Sequence, residues 1–407
     1  MRKFIALFLA LIMVFCLCAC GQEEKTAEPV EASAPVEQSE PTPVKIGLIC
    51  LHDENSTYDI NFINAFKAAC EKTGVEYLIK TNAPENSESY DAAVDLAENG
   101  CNIVFADSFG HEDYILQAAD EFPDVQFCHA TGTEAHTAGR PNFHNAFAMI
   151  FEGRYLDGVA AGMKLNEMIE AEQITPEQAL VGYVGAHPYA EVISGYTSFF
   201  LGVRSVCPEA EMQVTFTGSW YDETAEKEAA NRLIGNGCVI ISGHADSMGA
   251  PTACEASGVP FVFYNGALDA ACPNTYIVST KIDWQPYFEY IINCMKTGEE
   301  IAVDWVGSLN DGSVVMTEVN KKAAAPGTDE AIAAAREKLM DGTLHVFDTS
   351  TFTVGGKHID SYMADVDTDE DYEKDTEAIS GGCFHESEFR SAPYFDIPID
   401  GIILIDN

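Results

Sequence analysis

The stretch Val44-Lys45-Ile46-Gly47-Leu48-Ile49-Cys50-Leu51 runs into a polar segment, His52-Asp53-Glu54-Asn55-Ser56-Thr57-Tyr58, and then into residues 59–73. The apolar run predicts a buried strand. In residues 59–73, Ile60, Ile63, Phe66 and Ala69 recur near a 3.6-residue period, and Gly74 ends the helix they predict. The same unit then repeats. Residues 75–80 predict a strand, 89–99 a helix closed by Gly100, 102–106 a strand, 112–122 a helix stopped by Pro123, and 125–129 a strand. Strand–helix units of this length imply a parallel sheet with helices on both faces.

A second series follows. A long helix is predicted over 148–169, then strands at 180–185, 211–217, 238–242, 260–264 and 275–280. Helices are predicted at 189–207, 223–234 and 249–257 between them. The chain therefore reads as two α/β halves of similar design. Beyond them, residues 284–296 predict a helix, and another is predicted from Thr328. Residues 346–407 form an acidic C-terminal extension with short strand candidates.

Before the first strand the chain changes character. Arg2 and Lys3 precede an apolar run from Phe4 to about Leu17, followed by Leu17-Cys18-Ala19-Cys20-Gly21. A charged head, a short apolar core and a small-residue cleavage site make an export signal. The pattern resembles a bacterial lipoprotein signal, which implies a signal peptide at 1–19 and lipidation, including palmitate, at Cys20. Residues 22–43, rich in Glu, Pro, Ser, Ala and Thr, lack the apolar content to fold and read as a tether. The expected location is the extracytoplasmic face of the cell membrane, reached by a lipid anchor.

The 407 residues carry 22 basic and 65 acidic side chains, a net charge of -43. Nucleic-acid binding requires a basic footprint, which this composition excludes. Of the 13 cysteines, those after Cys20 are scattered without a CxxC pair, and most read as buried thiols. No HExxH, GxSxG, Walker or GxGxxG motif is present. Catalytic residues, a metal site and a cofactor are accordingly not expected.

The loops after the predicted strands carry the chemistry, because ligands bind outside the carboxyl ends of strands in open α/β sheets. They contain Asn55 and Phe62, then Asp107-Ser108-Phe109-Gly110-His111, Gly218-Ser219-Trp220-Tyr221-Asp222, Gly243-His244-Ala245-Asp246 and Asn265-Gly266. Rings beside amides and carboxylates suit a flat, polar small molecule. Each residue also has a plainer reading. Phe62 fits the core of its helix, Asp107 a helix cap, Gly243 a tight turn and Lys281 a surface charge. Trp220 stands among polar turn residues and off any apolar stripe.

The chain resembles the basic membrane protein family of extracytoplasmic lipoproteins, the substrate-binding components of ABC importers. The resemblance runs from Val44 to about Val319. It rests on the polar first loop with Asn61-Phe62, on Gly153-Arg154-Tyr155-Leu156-Asp157-Gly158, on Val181-Gly182-Tyr183-Val184-Gly185, on Gly218-Ser219-Trp220-Tyr221-Asp222 and on Ser279-Thr280-Lys281. It implies a periplasmic-binding-protein type I fold: two doubly wound parallel-sheet lobes joined by a hinge. The implied lobes are 44–147 with 283–306 and 148–278 with 318–345. Crossovers are expected near 145–148, 278–283 and 306–317. The implied ligand residues are Asn55, Phe62, Asp107, Trp220, Gly243, Asn265 and Lys281, with Phe62 and Trp220 sandwiching a base. Asn265 replaces an Asp that holds ribose in nucleoside-binding members, which leaves nucleobase and nucleoside equally open. The implied activity is capture of a purine-like solute for an ABC permease and its ATPase, by a monomer. A riboflavin or other heterocycle receptor, a ligand-sensing signalling receptor and a nucleoside-processing surface enzyme are the alternatives.

Overall fold

The structure is a computed structural model that describes residues 43–366 and 374–405. Cys20 and the leader lie outside the described residues. No helix among the described residues is long and apolar enough to cross a membrane.

The first lobe is built on β1 (Lys45–Ile49), β2 (Glu76–Lys80), β3 (Ile103–Ala106), β4 (Gln126–Ala130) and β5 (Phe143–Ala148). Helices α1 (Asp59–Thr73), α2 (Ser87–Glu98) and α3 (Glu112–Glu121) connect the first four. All the pairings are parallel, in the order β5-β4-β3-β1-β2. Each terminus has a local cause. Gly74 takes the left-handed conformation that ends α1, and the Asn86 side chain accepts from Glu88 N–H to start α2.

The second lobe starts with α4 (Ile150–Glu170), followed by β6 (Leu180–Gly185), α5 (Ala190–Val206), β7 (Glu211–Phe216), α6 (Glu223–Gly235) and β8 (Ile240–His244). Then come α7 (Gly249–Ser257), β9 (Phe261–Tyr264) and β10 (Tyr276–Ile282). Its sheet runs β10-β9-β8-β6-β7. Helix α8 (Gln285–Thr297) returns to pack on α1, and β11 (Asp304–Gly307) pairs parallel with β5 in the first sheet. The next strand, β12 (Val314–Met316), pairs antiparallel with β10 in the second sheet. The chain therefore crosses between lobes after β5, after β10 and between β11 and β12. The region expected only to cross at 306–317 supplies an edge strand to each sheet.

Helices α4 and α5 approach closely. A Cβ on Gly158 would lie 2.0 Å from the Phe199 carbonyl oxygen, and one on Gly202 would lie 2.1 Å from the Tyr155 carbonyl oxygen. Only backbone without side chains fits there. Gly158→Ala is expected to destabilise the fold by about 1–3 kcal/mol through overpacking. Urea denaturation checks it, and an unchanged midpoint would show that the two helices can separate at no cost.

After α9 (Thr328–Met340), which packs on α4, the extension folds against the body. It forms two short antiparallel pairs, β13 (Met363–Ala364) with β14 (Thr376–Glu377) and β15 (Ile379–Ser380) with β16 (Cys383–Phe384). It ends in β17 (Ile402–Leu404), parallel to β7 at the edge of the second sheet. Phe347 stacks on Phe395 at 4.2 Å, and Phe352, Phe384, Ile397 and Ile399 are buried with them. This apolar content holds a segment that its acidic composition alone would leave in solvent. The ten cysteines among the described residues are free thiols, nine buried and Cys383 half-buried.

Candidate functional site

The carboxyl ends of both sheets face one another across a cleft that is in contact along its rim. Thr57 donates from its N–H and its Oγ1 to the Asp246 carbonyl oxygen, at 3.2 and 3.0 Å. Asn61 Nδ2 donates to the Asn265 carbonyl oxygen at 2.8 Å. The rings of His52 and Tyr221 lie 5.4 Å apart, and those of Phe109 and Tyr189 lie 5.5 Å apart.

Behind this rim is a narrow cavity of about 20 Å³. The first lobe contributes Tyr58, Asp59, Ser108 and Phe109, and the second contributes Glu191, Trp220, His244, Asp246 and Tyr264. Four aromatic rings and three carboxylates thus face one small space. No lysine or arginine lines it among the described residues.

The acids are held differently. Asp59 is buried, which raises its pKa. The His52 ring, 3.4 Å from Oδ2, and hydrogen bonds from Ser56 and the His52 N–H outweigh burial, and the net shift is downward. Ser56 Oγ donates to Asp59 Oδ2 at 2.5 Å, and His52 N–H donates to Oδ1 at 2.7 Å. Asp107 stands behind Asp59. Burial, and then the Asp59 charge, push it well above the usual carboxylate range. Leu51 N–H donates to Asp107 Oδ1 at 3.0 Å, and the Tyr58 hydroxyl donates to the Asp107 carbonyl oxygen at 2.9 Å. Cys50 completes a buried trio with these two acids, their ligand atoms within 4.8 Å of one another. Burial, then Asp107 and Asp59, push the Cys50 thiol well up.

Asp246 is pushed well up by burial, then by Asp59, Glu226 and Glu191. Its folded-state pKa therefore exceeds its unfolded value. The stability this group contributes is complete below the unfolded value, about 3.9. It is lost as pH rises through the folded value. Asp246→Asn is expected to raise the melting temperature of the ligand-free protein near pH 7, with the gain shrinking to nothing by about pH 4. A gain that is constant with pH would remove ionisation as its cause.

Arg154 supports the second-lobe wall from behind. It is fully buried and pairs with Asp157 at 3.0 Å. Its guanidinium also donates to Tyr183 Oη, Ser242 Oγ and the carbonyl oxygens of Phe263 and Gly243, and lies 5.4 Å from the Tyr264 ring centre. Five acceptors and a ring fix one cation, and through it the ends of β6, β8 and β9.

The sequence-predicted residues separate. Trp220 lines the cavity, half-buried beside His187 and Tyr189. Phe62 does not face it. Its ring stacks on Trp284 at 4.4 Å and packs with Phe105 in the first-lobe core, with no exposure. Tyr58, one helical turn earlier, holds the cavity-facing place. Asp107 is buried behind Asp59. Gly243 is buried in β8, where its carbonyl accepts from Arg154, and the next residue, His244, lines the cavity. Asn265 takes a left-handed φ of 82°, and its Nδ2 reaches Asp246 Oδ1 at 3.5 Å from outside the lining. Asn55 is exposed and closes its own turn on Asp53 at 2.8 Å. Lys281, half-buried on β10 opposite Val315, is also outside the lining. Tyr58 belongs to the polar first loop read from the sequence, whereas Asp59, Glu191 and Tyr264 were not singled out there. A parity count along β9, which ends at Tyr264, was the available signal for the last of these.

A ring- and carboxylate-lined cavity between two sheets joined by three crossovers defines a two-lobed solute-binding protein. Residues 49–350 match the family described as Bmp, ABC transporter substrate-binding protein PnrA-like, and the chain belongs to that family. The family is one of ABC transporter substrate-binding proteins. A Haloferax volcanii protein provisionally named an ABC transporter glucose-binding protein is 30% identical over 67% of this chain and 66% of its own length. A purine-binding protein of Brucella abortus is 32% identical over 53% of this chain and 57% of its own. The chain thus spans less than two thirds of either relative. Among solved structures, an ABC transporter solute-binding protein from Conexibacter woesei superposes with a TM-score of 0.61 at 22% identity, over 74% of this chain and 98% of its own. One from Aeropyrum pernix gives 0.62 at 14% identity, over 78% and 95%. These two likenesses establish the fold.

Proposed function

We propose that this protein captures a purine nucleobase or nucleoside outside the cytoplasm, anchored by lipid at Cys20, and delivers it as a monomer to an ABC permease. The cavity lining carries this reading: Tyr58, Phe109, Trp220 and Tyr264 offer planes, while Asp59, Glu191 and Asp246 offer acceptors. A purine presents two flat faces and an edge of N–H donors, which such a lining complements. A phosphorylated or carboxylated solute would meet three acids and neither lysine nor arginine, so it is disfavoured. Covering about 200 Å² of ring at about 25 cal/mol/Å² supplies on the order of 5 kcal/mol before ordering costs. The Brucella abortus relative supports the purine class. A sugar also stacks on rings and donates hydroxyls to carboxylates, and the Haloferax volcanii relative favours that second reading.

Native mass spectrometry of the purified protein, with a thermal-shift panel of adenine, guanine, their nucleosides, riboflavin and glucose, tests it. A purine is expected to give the largest stabilisation. Stabilisation by glucose alone would replace this reading with the sugar one. Free base released from a bound nucleoside would turn the protein into an enzyme.

A further inference from the structure

Residues 386–395 lie beyond the matched family stretch, which ends at 350, yet they reach the cleft. They are tied to both lobes. Ser391 N–H donates to Asp304 Oδ2 on β11 at 2.6 Å, Tyr394 N–H donates to the buried Glu386 Oε1 at 3.1 Å, and Phe347, beneath Phe395, packs on Phe151 of α4 at 5.3 Å. Phe395 is locked onto Phe347. The strap is therefore a built part of the body that spans from one sheet to the other.

A second chamber opens where it crosses. It is walled by Arg390, Ala392 and Pro393 of the strap and by Thr133 and Tyr189, with a volume of about 260 Å³. It shares Phe109, Thr131 and Glu191 with the inner cavity, so the two spaces adjoin. The chemistry of the two spaces differs. The inner one offers rings and acids. The outer one adds the hydroxyl of Thr133 to that of the shared Thr131, beside the small strap residues Ala392 and Pro393. The Arg390 charge is already answered by Asp365, Glu386 and Glu112 within the chain, so the chamber does not call for a phosphate.

We infer that the strap is a third wall of the ligand site, and that its chamber takes the uncharged, polyhydroxylated glycosyl group of a nucleoside whose base lies in the inner cavity. This rests on the purine reading above. Hydroxyls would donate to Glu191 and exchange hydrogen bonds with Thr131 and Thr133, while Pro393 and Tyr189 cover the sugar carbons. The selection of nucleoside over free base would then reside in a segment outside the shared family fold.

Calorimetric titration of the full chain with adenine and with adenosine tests the inference, in the wild type, Ala392→Phe and Pro393→Ala, with thermal melts reporting folding. Ala392→Phe fills the chamber. It is expected to weaken adenosine at least tenfold and adenine less than twofold. Should that variant fail to fold, Pro393→Ala decides, with adenosine weakened about threefold and adenine unchanged. Equal changes for both ligands, or no change for adenosine, overturn the strap as a wall. Wild-type binding of adenine without adenosine also overturns the chamber's role and leaves the purine reading standing. Binding of neither overturns both.

Discussion

Arg154→Met is expected to cost about 3–5 kcal/mol of folding stability, the range for breaking a buried ion pair from one side. Asp157 would be left without its partner in a position with no solvent. Burial already pushes Asp157 up to about 7 with Arg154 beside it, and the guanidinium is the largest opposing influence. Without it the carboxyl rises further. The sign follows from a folded-state pKa above the unfolded one: the variant's stability is greatest below about pH 4 and falls as pH rises. Urea denaturation at pH 5 and pH 8 should therefore show the larger deficit at pH 8. Arg154→Met with Asp157→Leu should recover much of the loss, because two apolar side chains replace two charges. A single variant that costs under about 1 kcal/mol would mean that water reaches Asp157 in the folded protein.

Trp220→Ala should weaken purine binding by about 1–3 kcal/mol, the range for deleting one aromatic plane from a base stack. That corresponds to roughly five- to 150-fold in Kd. Trp220 lies in a turn between β7 and α6, and its carbonyl accepts from Asp246 N–H at 2.8 Å. Alanine keeps that main-chain bond, so the fold should melt within a few degrees of the wild type. Phe62→Leu is the informative contrast. Its ring packs on Trp284 and Phe105, so the change should lower the melting temperature and leave the ligand preference alone. Equal purine affinity in Trp220→Ala and the wild type would end the stacking assignment.

The alternation of strand and helix was legible because it depends on local periodicity. Asp59–Thr73 forms a helix as its apolar spacing predicts, and Leu180–Gly185 forms a strand. The strand β5 was read only as the approach to a crossover, because Phe143–Ala148 mixes His and Asn with apolar residues. The His is satisfied at long range: His144 contacts Gln126 Oε1 at 2.8 Å and the Ala302 carbonyl at 3.1 Å. The loops that form the site were also legible, since strand ends can be located in sequence. The individual residues were less so. Tyr58 and Phe62 are four apart on one helix face, and only the packing of α1 against α8 decides which ring reaches the cleft and which the core. Gly243 and His244 differ by one step in a strand, which reverses the side they face. The strap was illegible because its contacts, such as Ser391 with Asp304, join residues 87 apart.

The hydrogen bonds by which Thr57 and Asn61 join the lobes end on peptide oxygens, at Asp246 and Asn265. Every residue type supplies that oxygen. Side chains on the receiving wall can therefore drift through evolution without unlatching the clamp. Recognition of cargo and the grip of the jaws are separately heritable, and one scaffold can change its diet while keeping its bite.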